Sequence, residues 1–229
     1  MEEKYYKYEL DVKKMNVIIL IAFIPFTVLM CVFPIFFSTA FDRFYLTFAG
    51  LLIVFALHEV LHGIGYSFFA KDKKKIKYGV ALEKGVLYAM CQDMISKKGI
   101  IVSLILPLIV LTFILGIVGI IIKSSLLIFL AVINLLGANG DIMMIILTLK
   151  LPKDIKYIDY NADIGAYFIS KEDISKINTF GLKCIESGTH TLDKVDNTIK
   201  RFTLSKGSIP YIIFFLVVII ADIIISYVF

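Results

Sequence analysis

FYLTFAGLLIVFALHEVLHGIGYSFFA, residues 44–70, contains no Lys or Arg from end to end. At 1.5 Å per residue such a helix would reach about 40 Å, more than the ~30 Å of a bilayer's hydrocarbon core. It reads as a transmembrane helix. Yet His58, Glu59 and His62 lie inside it. Ionisable side chains at that depth are costly to desolvate and mark a functional site.

Four more apolar blocks flank it: Met15–Phe37, Gly99–Ile122, Ser125–Leu149 and Ile209–Phe229. The chain is 59% hydrophobic, lacks Trp and has a mean hydropathy of +0.87. The expected fold is therefore an all-α membrane protein of about five transmembrane helices. Short turns at Asp42–Arg43 and at Lys123–Ser124 predict antiparallel helical hairpins. The first block is long and has no small-residue cleavage pattern, so it is expected to be a retained anchor.

Charge orients these spans. Of the 24 Lys and Arg, only Arg43 and Lys123 fall in the two short turns. The rest lie in residues 1–14, 71–98 and 150–206. By the positive-inside rule the N-terminus and both long loops are cytoplasmic, and the C-terminus is external. The net charge of +5 is thus an orientation signal. It predicts contact with membrane lipid and no nucleic-acid partner. The run Lys71, Lys73, Lys74, Lys75 and Lys77 reads as an interfacial anchor.

Three segments follow: a membrane core at 1–149, a cytoplasmic segment at 150–208 and a C-terminal transmembrane helix at 209–229. Within the core, Ile76–Cys91 alternates apolar and polar residues about Glu83-Lys84-Gly85 and predicts a small cytoplasmic β-hairpin. The cytoplasmic segment reads as an extended stretch, Tyr157–Ile169, then short amphipathic helices near Lys171–Ser187 and Leu192–Ser205. Cys31, Cys91 and Cys184 have no paired spacing, which excludes a disulfide framework and leaves them as small apolar fillers. The Lys- and Ile-rich, Trp-free composition suits an AT-rich bacterium.

His58-Glu59-Val60-Leu61-His62 is the chemical motif. Positions i and i+4 share a helix face, so both imidazoles can bind one Zn²⁺. Glu59 then lies beside the ion, placed to take a proton from the attacking water. With three His in the chain, chance would produce this pattern in on the order of one chain in a thousand. A catalytic zinc usually has three protein ligands. The candidates for the third are His190, Asp141 and Asp222. His190 falls in the soluble segment. His58 and His62 lie roughly 21–27 Å along their span from its outer end, and Asp141 roughly 24 Å along a span of the same direction. Asp222 lies past the midplane. Depth therefore favours Asp141. Asn134 and Asn139 flank it in a Gly-rich stretch, and Gly137 and Gly140 allow the helix to bend there beside a polar cavity. Both Asn are candidate site-lining residues.

At these residues the chain resembles the site-2 protease superfamily of intramembrane metalloproteases. Those proteins pair an HExxH helix with a later Asn-x-x-Pro…Leu-Asp-Gly helix. Here Gly137, Gly140 and Ile142 stand where that motif has Pro, Leu and Gly, and the Asn-to-Asp spacing is one residue shorter. The chain is closer to a family of unknown function described as zincin peptidases. The pattern there is HExxH, a short hairpin, a span with a central Pro (Leu106-Pro107-Leu108), Asn…Gly-Asp and a stretch like Asp163-Ile164-Gly165. The resemblance covers Leu51 to Ile169. It implies His58 and His62 as ligands, Glu59 as general base and Asp141 as third ligand.

The function expected is a membrane-embedded zinc endopeptidase, cleaving a transmembrane or juxtamembrane peptide near the cytoplasmic face. A peptide or membrane-protein substrate is its partner. A non-proteolytic metal-binding membrane protein, such as a sensor or complex subunit, is the alternative, although it leaves Glu59 without a task. An ion or proton transporter ranks below both, because the chain has no repeated halves.

Overall fold

The computed structural model describes residues 3–11, 44–81, 86–159 and 165–188, with isolated positions at 14, 17, 21 and 24. Apart from those isolated positions, the expected span Met15–Phe37 lies outside the described residues, as do the expected span Ile209–Phe229, the expected helix Leu192–Ser205, Cys31, His190 and Asp222.

Two helices are long and apolar enough to cross a membrane. They are α1, Phe44–Ser67, and α2, Lys97–Ile121. The third such block divides into α3, Ser125–Gly137, and α4, Asn139–Lys150, bent by 43° at Ala138. Neither piece alone spans ~30 Å of hydrocarbon. The bend falls where Gly137, Asn139 and Gly140 weaken helix continuity, and the Asn139 amide donates to the Leu136 carbonyl there.

The connections follow from local chemistry. The Ser96 hydroxyl caps α2 by accepting the Gly99 N–H at 3.2 Å. Lys123 takes a left-handed φ of 56° between α2 and α3, and Ser124 caps α3. That conformation costs a non-glycine residue about 1–2 kcal/mol. It lets Ser124 N–H reach the Gly119 carbonyl at 2.8 Å and close the hairpin. At the far end of α4, the Lys97 ammonium donates to the Leu149 and Leu151 carbonyls, placing a cation on a helix C-terminus.

The predicted hairpin forms. Strand β2, Ile76–Ala81, pairs with β3, Val86–Cys91, in a register from Ile76↔Cys91 to Ala81↔Val86. A larger sheet was not expected. Its strands are β1 (Lys4–Leu10), β4 (Ile95–Ser96), β5 (Lys156–Ile158), β6 (Gly165–Ser170) and β7 (Leu182–Gly188). They run in the order β4-β5-β6-β1-β7, all antiparallel.

The all-α, five-helix expectation is therefore corrected. The chain is a mixed fold: four helices, two antiparallel sheets and two candidate spans among the described residues. The helix expected at Lys171–Ser187 is also overturned. Strand β7 occupies its C-terminal part, after Gly181 breaks the chain with φ +94°. The cause is long-range pairing. In β1, Tyr6 and Tyr8 point inward and are buried, and their hydroxyls donate to the Glu172 and Ile174 carbonyls. Neither link leaves a local periodicity.

Among the described residues two larger apolar cores result, beside a small cluster of Ile158, Tyr167 and Ile169. One lies among the helices, around Val54, Leu111, Phe129 and Leu130. The other lies where the helix ends meet the sheet, and includes Tyr66, Ile100, Met143, Leu147, Tyr157 and Phe168. The C-terminal half of α2 exposes Phe113, Ile114, Ile117, Ile120 and Ile121. An exposed apolar face of that extent fits contact with lipid.

Asp93 ties the exit of α1 to the exit of the hairpin. Its carboxylate accepts the N–H groups of Lys71, Asp72 and Met94 at 2.6, 2.9 and 3.1 Å. Burial alone would raise its pKa. The Asp72, Lys71 and Met94 amides, with Lys75, outweigh that and hold the carboxyl below its ordinary 3.8. A carboxyl depressed by folding contributes stability above its unfolded-state value and loses it as pH falls through the folded one. Asp93→Ala is expected to destabilise the protein by about 1 kcal/mol at neutral pH. The gap from wild type should close in thermal melts below about pH 4.

Candidate metal centre

The site lies between the two cores, where α1, α2, α3 and α4 meet. Helical spacing puts His58 and His62 on one face of α1, with ring centroids 4.8 Å apart and the rings edge to face at 78°. Both Nε2 atoms converge on one carboxylate oxygen, Asp141 Oδ2, at 3.0 Å from His58 and 3.4 Å from His62. Asp141 sits in the first turn of α4. The 43° bend aims that helix start at α1, and a helix N-terminus favours a carboxylate.

The other ring nitrogens are already committed. His62 Nδ1 lies 2.9 Å from the Ser103 carbonyl, which can only accept, so Nδ1 carries the proton. His58 Nδ1 lies 2.9 Å from Asn134 Oδ1. The Asn134 amide is oriented in turn: its Nδ2 donates to Thr112 Oγ1 at 3.0 Å and to the Pro107 carbonyl at 3.4 Å. Asn134 is only 1% exposed, so water does not compete for these groups. Both imidazoles thereby donate from Nδ1, and Nε2 is the atom that each turns to Asp141.

Glu59 faces the hairpin side of α1. Its Oε2 accepts the Ala89 N–H of β3 at 2.7 Å. Its carboxylate also comes within 4.8 Å of the ligand atoms of both histidines. Two carboxylates therefore border the imidazoles. Asp141 is the nearer, and one of its oxygens is shared by both rings; Glu59 is held aside by the strand.

Close helix approach makes this possible. A Cβ added at Gly65 would lie 2.5 Å from the Ser103 Cα, so only glycine allows α1 and α2 to cross there.

The donor set fits zinc. Two Nε2 atoms and a carboxylate oxygen face one another, and with both imidazoles neutral and protonated on Nδ1 these three acceptors would repel. A shared cation removes that repulsion, and two imidazoles with one carboxylate is a common zinc set. No Lys or Arg lies in the interiors of α1–α4 to serve instead.

Of the residues predicted from the sequence, His58, Glu59, His62, Asn134 and Asp141 meet here. Asn139 instead bonds the helix break. Cys91 is a buried free thiol that burial pushes up to about 11, so it is protonated at neutral pH and a poor metal ligand. Sequence reasoning missed Ser103, Thr112 and Ala89. Two of these act through backbone atoms, which carry no residue signature.

No curated protein and no solved structure matches the chain. A family match supports a zinc metallopeptidase, in agreement with the resemblance read from the sequence. Residues 51–156, which include His58, Glu59, His62, Asn134 and Asp141, match the DUF3267 family, described as "Putative zincin peptidase".

Proposed function

We propose that the chain is a membrane-embedded zinc endopeptidase that cleaves an extended peptide segment beside the lysine-rich end of its helices. The observation that carries this reading is the convergence of both Nε2 atoms on Asp141 while both Nδ1 atoms are held elsewhere. His58, His62 and Asp141 would hold the ion. Zinc at that point supplies a Lewis acid that polarises a carbonyl and acidifies water. Glu59 takes the proton from the attacking water and delivers it to the departing amine. The Ala89 N–H fixes one Glu59 oxygen and leaves the other for that work.

The hairpin supports a substrate path. Ala89 points its N–H away from β2 and towards Glu59. An extended peptide can add to a strand edge so placed, which would bring its carbonyl to the site. Strands β1, β4, β5, β6 and β7 and the run Lys71–Lys77 gather at the same end of the helices, which we place on the cytoplasmic side.

The test uses the full chain purified in detergent, with a fluorogenic library of apolar peptides. One zinc per chain is expected, with hydrolysis lost to a chelator and restored by added zinc. Bound zinc with no hydrolysis across the library would favour a non-proteolytic metal protein. Absence of zinc from the purified chain overturns the reading.

A further inference from the structure

Pro107 stands in the middle of α2 and has no N–H to give. The Ser103 carbonyl, one turn earlier, therefore loses its intrahelical donor, and the proline ring pushes it off the helix axis. A freed carbonyl buried in a membrane helix must find another donor. Ser103 is fully buried, and the donor it meets is His62 Nδ1 at 2.9 Å. Gly65 lets the two helices come close enough for that bond. The same turn acts on the other imidazole. The Pro107 carbonyl, with Thr112 Oγ1, accepts from Asn134 Nδ2, which turns Asn134 Oδ1 to His58 Nδ1.

We propose that Pro107 is a positioning residue for the metal centre: the Ser103 carbonyl it frees holds His62 by Nδ1, its own carbonyl helps to orient Asn134 on His58, and both imidazoles thereby turn Nε2 to Asp141. A residue with an N–H at 107 would compete with His62 for the Ser103 carbonyl. His62 would then be free to rotate or to change tautomer. This inference rests on His58 and His62 being zinc ligands.

The experiment compares zinc affinity, by chelator competition, in the full-length wild-type chain and two variants in detergent. Pro107→Ala restores the N–H. Pro107→lactic acid, introduced by nonsense suppression, puts a backbone ester there and has neither ring nor N–H. Pro107→Ala is expected to weaken zinc binding by about 10–100-fold, the scale for losing an outer partner of a metal-bound histidine. Pro107→lactic acid is expected to stay within about threefold of wild type, since the Ser103 carbonyl remains free. A purely structural role for the ring predicts instead that both variants weaken together, and that result overturns the proposal. Unchanged affinity in Pro107→Ala also overturns it, with the zinc-site reading intact. A wild-type chain that binds no zinc overturns both.

Discussion

Glu59→Gln is expected to lower peptide turnover by at least about 10²-fold while the protein keeps one zinc per chain. The substitution preserves size, and the glutamine carbonyl oxygen can still accept the Ala89 N–H that now meets Glu59 Oε2. The hairpin should therefore stay docked on α1. What disappears is an oxygen able to take a proton. Because Glu59 stands aside from the point where the imidazoles and Asp141 meet, metal retention should be unaffected. Zinc analysis and initial rates on the same preparation give both readouts. Undiminished turnover would remove Glu59 from the mechanism, and loss of zinc would mean that Glu59 is itself a ligand.

Asp141→Asn gives the opposite pattern. It keeps shape and hydrogen bonding but removes the negative charge facing the two Nε2 atoms. Zinc affinity should fall by more than about 10²-fold, beyond the 10–100-fold typical of losing an outer-shell partner. His62→Ala should likewise abolish stoichiometric zinc, because two remaining ligands hold the ion poorly. The pair Glu59→Gln and Asp141→Asn thus decides which carboxylate completes the site. Zinc kept in Asp141→Asn and lost in Glu59→Gln would exchange their roles. Equilibrium dialysis against a buffered zinc series measures both.

The helices and the HExxH face were legible because each depends on short-range pattern. The α1 and α2 boundaries fall within a few residues of the apolar blocks, and the hairpin alternation gave the paired strands β2 and β3. Gly137 and Gly140 marked a possible bend, and the helix breaks between them. The five-stranded sheet was not legible, because β1 pairs with strands more than 150 positions away. Ile174 and Ile177 repeat at helical spacing, yet Ile174 is buried and its carbonyl accepts the Tyr8 hydroxyl. In the site, depth along the spans singled out Asp141, whose carboxylate lies beside both imidazoles. The Ser103 carbonyl could have been anticipated only from Pro107 four residues on, a signal that points to a freed acceptor without naming its donor.

Strand β4 immediately precedes α2, and β5 follows shortly after α4; the two are hydrogen-bonded neighbours, Ile95 opposite Tyr157. Paired strands cannot sit on opposite faces of a bilayer. For a chain that crosses on α2, the number of crossings between Ser96 and Lys156 must be even. Since α2 supplies one, α3 and α4 together must supply the return. On that condition the bent pair would be a single return passage and not a loop that re-emerges on the side it entered, with its break at the level where Asp141 turns towards the histidines.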